Sequence, residues 1–341
     1  MNLPFYLARR IRNDSEGSFS RVIHKIAIAS VAISLSIMIL SFLILFGFQD
    51  SIKEKIFSLA SHMQITKFTL GSNYDPFPIS ENRDFFKNYK DYPFVDHIQK
   101  FGYKTGLLKT DEEVLGIMLK GVGPDFDTTR FQMNMREGHF IHFKETGYTT
   151  DIVISQNIAN LLEVGLEDEL LIWFFQDPPR ARKVSITGIY ETGMMELDEK
   201  IIIGDIGMIQ RLNDWPDTLV GGYEVFIKDF RQIDKAQEIL FDEIDYDMAV
   251  EKVTDKYYQN FEWLNMLNKN VGILLGVIIL VASFNMISIV LILIMERTQM
   301  IGLLKAFGAK DAQIRRIFMY TGMRLIGKGL LYGNIIGPVS Y

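Results

Sequence analysis

The sequence predicts a membrane protein in which transmembrane α-helices carry a large α+β domain, in two lobes, between the first and second spans. Three observations predict it. Residues 26–48 and residues 271–295 contain no Asp, Glu, Lys or Arg. At about 1.5 Å per residue, each run is long enough to cross a hydrocarbon core of roughly 30 Å. In the segment between them strand-like and helix-like patterns alternate, the signature of sheet packed with helices. The 341 residues are 48% hydrophobic with a formal charge of −6, averages that conceal a partition between apolar runs and a polar insert.

The chain opens on Asn2-Leu-Pro-Phe-Tyr-Leu-Ala-Arg-Arg-Ile-Arg12, where Phe5, Leu7, Ala8 and Ile11 lie near one helical face. That suits a short interfacial helix, and equally a basic tail that only fixes topology. The run 26–48 exceeds the apolar core of about 7–15 residues in a signal peptide, and Gly47-Phe48-Gln49-Asp50 offers no small-residue cleavage site. It is read as an anchor. Within it Ser30 and Ser34 are four apart, as are Ala32 and Ser36, a spacing that lets helices approach closely in lipid. Ile52, Ile56 and Leu59 then recur at helical spacing, predicting a stalk that continues past the membrane.

Charge sets the orientation. Residues 1–25 carry Arg9, Arg10, Arg12, Arg21 and Lys25 against Asp14 and Glu16. Residues 296–317 carry Arg297, Lys305, Lys310, Arg315 and Arg316 against Glu296 and Asp311. Basic short flanks stay cytoplasmic, so the N-terminus is expected inside and the acidic segment 49–270 outside. There is no cysteine, hence no disulfide and no lipid anchor on an N-terminal Cys.

Along the outer segment, strands are expected at 62–69, 98–109, 114–122, 152–155, 169–175, 183–190, 201–203, 223–228 and 248–253. Helices are expected from Ser80 to about Tyr89 and at 156–163, 205–212 and 232–242, with an irregular stretch after Asp125 to about Gly147. Residues 254–268 read as a helix feeding the second span. That span holds Asn285 near its middle, suited to bonding a neighbouring helix or to meeting cargo. From Ile317 the chain turns apolar again, predicting a third span over 317–341. Arg324 and Lys328, four apart, are read as snorkelling to the interface or as a functional cation pair.

Catalytic chemistry is not visible. No Gly-x-x-x-x-Gly-Lys-[Ser/Thr] cradle and no Ser nucleophile elbow occur. His139 and His142 form the only close His pair and lack a Glu companion. No cofactor, metal, nucleic-acid partner or enzymatic centre is expected.

Four stretches carry a family resemblance: Gly47-Phe-Gln-Asp-Ser-Ile-Lys-Glu-Lys-Ile56, Ile152-Val-Ile-Ser-Gln-Asn-Ile-Ala159, Ile186-Thr-Gly-Ile-Tyr-Glu-Thr-Gly-Met-Met-Glu-Leu-Asp198, and Ala282-Ser-Phe-Asn-Met-Ile-Ser288 running into Glu296-Arg-Thr-Gln-Met-Ile-Gly-Leu-Leu-Lys-Ala-Phe-Gly-Ala309. The whole chain resembles a lipoprotein-releasing, Lol-type ABC transporter permease of the FtsX-like/MacB-like superfamily. The resemblance implies a bacterial inner-membrane subunit with a MacB-like periplasmic core. It implies a cytoplasmic ABC ATPase dimer, a second permease (identical or paralogous), a lipoprotein substrate drawn from membrane lipid, and a periplasmic lipoprotein carrier.

The domains expected on this reading are a cytoplasmic segment 1–25, spans 26–48 and 271–295, a periplasmic domain with helical stalks 49–270, a coupling element 296–316 and an incomplete permease domain 317–341. The ATPase-coupling residues it implies are Glu296, Arg297, Met300, Ile301, Gly302, Leu303, Leu304, Lys305, Ala306, Gly308 and Ala309.

Three departures follow. A fourth span is implied and missing, so C-terminal truncation is expected. Gln299-Met300 stands where many relatives have a basic–acidic pair, leaving an apolar, adaptable contact. The hairpin tip at Asp177, Pro178, Pro179 and Arg180 is short for a carrier-facing element. The alternatives weighed are a MacB-like efflux permease, an FtsX-like regulator of cell-wall hydrolases, a membrane-anchored sensor and an outer-domain hydrolase.

Overall fold

The computed structural model describes residues 18–69, 77–109 and 113–339. The helix expected over residues 2–12 lies outside them. Residues 51–261 form one compact unit; residues up to Asp50, with those from Glu262 on, form the other.

Helix α1 runs from Ser18 to Ala60 without a break. It stops at Ser61, which adopts a left-handed φ of +59° and donates its N–H to Phe57 O at 2.8 Å. The turn drops the chain directly into β1 (Met63–Lys67). His62 sits at this corner, buried among the rings of Phe57, Phe226 and Phe230, and its Nδ1 accepts the Ile227 N–H at 2.9 Å.

Desolvation by burial, with the charge of Arg130 behind it, lowers the His62 pKa to about 4. The folded state thus holds a neutral imidazole that the unfolded chain protonates below its ordinary pKa of 6.5. Stability should therefore fall as pH drops from about 6.5 to about 4, by up to about 3 kcal/mol. Unfolding midpoints measured across that window check this, and His62→Gln should flatten the dependence.

After β1 come β2 (Ile79–Ser80), the short helix α2 (Asp84–Lys87), a 3₁₀ turn at Tyr89–Asp91, β3 (Val95–Lys109) and β4 (Val114–Val122). The longer helix expected from Ser80 does not form. Ile79 and Ser80 pair instead with Val220 and Leu219 as a short strand, so helix is confined to Asp84–Lys87, where Phe85 and Phe86 are both buried. The stretch read as irregular contains α3 (Thr128–Phe131), a 3₁₀ turn and β5 (Met135–Gly138). Next are β6 (Asp151–Ser155), α4 (Gln156–Leu162), β7 (Glu169–Phe174), β8 (Arg180–Tyr190), α5 (Met195–Asp198), β9 (Ile201–Asp205) and α6 (Ile206–Leu212). Ser155 and Asp205 cap α4 and α6 by accepting the Ile158 and Gly207 N–H groups. Then follow β10 (Leu219–Val220), β11 (Gly222–Ile227), α7 (Ile233–Glu243), β12 (Met248–Lys252) and α8 (Val253–Lys256).

The main sheet has the order β12-β1-β11-β3-β4-β9-β6-β8-β5, and β7 pairs with both β3 and β8. The strands β3, β4, β9, β6, β8 and β7 therefore close into a ring. Its apolar side chains, among them Leu108, Leu119, Ile152, Ile172, Phe174 and Ile202, form one buried cluster. A second cluster, with Ile56, Leu59, Met63, Ile65, Tyr223 and Val225, lies under the β12-β1-β11 half. The two lobes exist as these two clusters. They are not separate bodies, because β3 pairs with β11 at its start and with β7 at its end.

Beyond Tyr257, which interrupts the helix read as continuous from 254, α9 runs from Tyr258 to Glu296. Helices α10 (Thr298–Ala306) and α11 (Asp311–Val339) complete the described chain. Among the described residues two helices are long and apolar enough to cross a membrane, through Ile28–Ala60 and Tyr258–Ile292. Helix α11, with Arg315, Arg316, Arg324 and Lys328, is not one of them.

Candidate functional site

The ends of the two apolar runs meet. Gln49, buried one residue past the first run, donates its Nε2 to Leu264 O at 3.1 Å and to Asn268 Oδ1 at 3.0 Å. Beside it Phe48 and Trp263 make an edge-on ring contact at 6.1 Å, aromatic residues suited to a membrane–water boundary. Helices α1 and α9 thus touch at the edge of the two apolar runs.

Of the small residues singled out in the first run, Ala32 and Ser36 are buried, while Ser30 and Ser34 are half-buried. Their partner is α11. Ser36 Oγ donates to Gly333 O at 3.2 Å. A Cβ on Gly333 would come within 2.9 Å of Ala32 O, and one on Gly329 within 2.6 Å of Val31 Cβ. The Gly329-x-x-x-Gly333 spacing is a sequence signal for close helix packing that the reading of the third apolar stretch did not use. The side chain of Asn285 lies outside the described residues.

Gly333→Leu should force α11 off α1 at an overpacking cost of about 1–3 kcal/mol. A lowered unfolding midpoint in detergent, with Gly333→Ala intermediate, is the expected reading.

Helix α10 holds most of the residues implied to couple to an ATPase, and none of its residues is buried. Its C-terminus is closed by paired hydrogen bonds from Gly308 N–H to Lys305 O and from Ala309 N–H to Leu304 O, both 2.9 Å. Gly308 takes the left-handed φ of +84° this end requires. The next helix is set immediately, with the Lys310 N–H bonded to Gln313 Oε1 at 3.0 Å. Lys305 pairs with Asp311 at 2.9 Å, both exposed, a contact of little energetic weight.

What α10 presents is apolar. Leu303 is 61% exposed and Phe307, four residues on, 85%. Met300, Ile301 and Leu304 are half-buried, Gly302 and Ala306 exposed. Phe307 was not among the residues singled out, although its i, i+4 spacing from Leu303 is visible in the sequence. A Cβ on Gly302 would meet nothing within 4 Å, so the chain's own packing does not require glycine there. Arg297 is half-buried, and the side chain of Glu296 is not among those described.

At the β7–β8 hairpin, Asp177, Pro178 and Pro179 are exposed. Arg180 is engaged within the domain. It forks onto Asp214 at 2.6 and 3.0 Å and onto the carbonyls of Arg211 and Leu212 at 3.0 and 2.9 Å. The guanidinium holds the Asp214 carboxyl below its ordinary range. Gln176 Nε2 donates to Leu212 O at 3.0 Å, so the tip is pinned to the end of α6. The outward row of this hairpin, Leu171, Trp173 and Phe175, is exposed. The imidazoles of His139 and His142 lie 4.5 Å apart. Among the described residues no three His, Cys, Asp or Glu side chains gather as a metal site.

The MacB-like periplasmic core domain matches residues 26–240, and the FtsX-like permease C-terminal domain matches residues 272–339. The chain belongs to the FtsX-like/MacB-like permease family. It is a permease of an ABC transporter of that family, with the MacB-like α+β domain following an N-terminal apolar helix.

Curated relatives extend the likeness over the full length. The lipoprotein-releasing system transmembrane protein LolC of Haemophilus influenzae is 22% identical, over 100% of this chain and 84% of that protein. LolE of the same organism is 20% identical, over 99% and 82%. LolC of Neisseria meningitidis serogroup B is 22% identical, over 96% and 79%. Among solved structures, the periplasmic region of MacB from Actinobacillus actinomycetemcomitans is similar at 12% identity with a TM-score of 0.40, over 62% of this chain and 97% of that one.

Proposed function

We propose that this permease uses ATP hydrolysis by a partner cytoplasmic ATPase dimer to extract lipoproteins from the inner membrane and pass them to a periplasmic carrier. The observation that supports it best is the end-to-end similarity to LolC and LolE, which spans the apolar helices and the inserted domain together. On this reading residues 26–48 and 271–295 cross the membrane and a third crossing begins within 317–341. The basic flanks keep the N-terminus inside, and residues 49–270 face the periplasm.

Residues 296–309 couple to the ATPase. An exposed apolar pair beside the closed C-terminus of α10 makes a knob for a cleft on a partner. The grip comes from shape more than charge, because Met300 stands where an acid would otherwise pair. A second permease, identical or paralogous, completes the complex. The exposed row on β7 and the tip at Asp177–Pro179 face the carrier.

The test is reconstitution of this chain with its ATPase and companion permease in proteoliposomes containing a lipoprotein. ATP-dependent appearance of the lipoprotein on a soluble carrier is expected. ATP turnover with no release, or with export of a small molecule instead, would overturn the cargo assignment.

A further inference from the structure

Within the domain one polar chain is buried where apolar side chains would be less costly. Lys120 on β4 and Glu224 on β11, both with fully buried side chains, pair at 2.7 Å. Lys120 Nζ also donates to the carbonyl of Leu59. That carbonyl lies in the last turn of α1, where such groups have no helical partner. The Glu224 carboxylate further accepts Gln64 Nε2 at 2.9 Å and Gln99 Nε2 at 2.7 Å.

Gln64 Oε1 in turn accepts Lys256 Nζ at 2.6 Å. Lys256 closes α8, immediately before α9, and its ammonium also lies 5.3 Å from the Tyr103 ring. As a residue Lys256 is exposed, with its ammonium turned inward. A continuous polar path therefore joins the end of α1 to the start of the helical segment leading into α9, through Leu59, Lys120, Glu224, Gln64 and Lys256.

Hydrogen bonds to charged groups resist displacement in a way apolar contacts do not. Sliding two apolar surfaces by an ångström exchanges one contact for another. The same slip here would strand a buried charge or amide without a partner. Burying an ion pair is a poor route to stability and a good one to a fixed geometry.

We propose that Lys120, Glu224 and Lys256 are positioning residues that latch the domain ends of α1 and α9 to one another through the sheet. Movement of either helix is then passed to the domain as a whole instead of being absorbed at a joint. The purpose of the latch rests on the transport reading above; its existence does not.

The chain has no cysteine, so Glu54→Cys and Gln259→Cys, at exposed positions near the end of α1 and the start of α9, supply a unique spin-label pair in the full-length protein. Pulsed dipolar spectroscopy should give one narrow distance distribution. Lys256→Met removes one hydrogen bond to Gln64, so it should lower the unfolding midpoint less than Lys120→Met, and it should about double the width of the distribution as a two-point tether becomes a hinge. Lys120→Met with Glu224→Gln should broaden it further.

A width unchanged in both variants overturns the latch. Broadening in a parent protein that releases no lipoprotein keeps the latch and discards the cargo assignment. An unchanged width in a protein that does release lipoprotein does the reverse.

Discussion

Leu303→Asp in the full-length protein is expected to abolish co-purification with the partner ATPase while leaving the permease folded. Leu303 is 61% exposed on a helix with no buried residue, so the substitution removes nothing the chain itself packs against. In a docked complex the same position would be desolvated. Losing a buried leucine forfeits about 1.5–3 kcal/mol, and burying an unpaired carboxylate adds a penalty of several kcal/mol. At about 1.4 kcal/mol per decade, a loss of well over a hundredfold in affinity follows. A complex that survives Leu303→Asp would remove α10 from the interface. Gly302→Ala is the companion measurement. It gains about 1 kcal/mol of helix propensity and meets open space in the free chain, so any weakening of the complex would locate a close approach of the ATPase at that backbone.

The second large effect lies in the domain. Lys120→Met should lower the unfolding free energy by about 3–5 kcal/mol, because it leaves Glu224 charged, buried and short of a partner. For a unit of this size that is a fall of roughly 6–20 °C in unfolding midpoint. Lys120→Met combined with Glu224→Leu should recover much of the loss, since removing both members of a buried pair is often neutral. Recovery should be partial, because the Leu59 carbonyl and the Gln64 and Gln99 amides lose partners as well. Thermal melts of the three proteins decide the matter, and a single variant no less stable than the double would contradict it. Burial lowers the Lys120 pKa and the Glu224 carboxylate opposes that shift, so the pair depends on both partners being present.

Much of this was legible in the sequence, for reasons that differ by element. Strand β4 has its expected bounds, Val114–Val122, and α4 and α6 begin at Ser155 and Asp205, whose side chains cap them. These are local signals carried by a few adjacent residues. The helical run of Ile52, Ile56 and Leu59 likewise continues α1 to Ala60, with Ile56 and Leu59 buried. What was not legible is non-local. Closure of the ring depends on β7 pairing with β3 and β8 at once, and nothing in Glu169–Phe174 names its partners. Strand β5, Met-Arg-Glu-Gly, has no alternation and is held by its neighbour β8. Lys120 and Glu224 lie 104 residues apart, and each alone reads as an ordinary exposed charge. Phe307 and the Gly329–Gly333 pair, by contrast, are local signals visible in the spacing alone.

At the candidate site the outcome divides the same way. Ala32 and Ser36 turned to a neighbouring helix, as four-residue spacing of small side chains suggests, while Ser30 and Ser34 are only half-buried. Arg180, expected at a carrier-facing hairpin tip, is held by Asp214, two residues past the end of α6. Spacing identifies a face; only the fold says what already occupies it.

The position of β1 sets the order in which the domain can be built. It is the first strand made, yet it lies between β11 and β12, with Met63 opposite both Val225 and Lys252. A nascent chain therefore carries an unsatisfied strand through the synthesis of nearly the whole insert. The ring of β3, β4, β9, β6, β8 and β7 has all its members by residue 205 and is free to close early. The β12-β1-β11 half has to wait. Folding should thus proceed from the ring toward the end joined to α1 and α9, and strongly non-local pairing of this kind is slow. Until residue 252 has emerged, the exposed edge of β1 is the segment most in need of a chaperone.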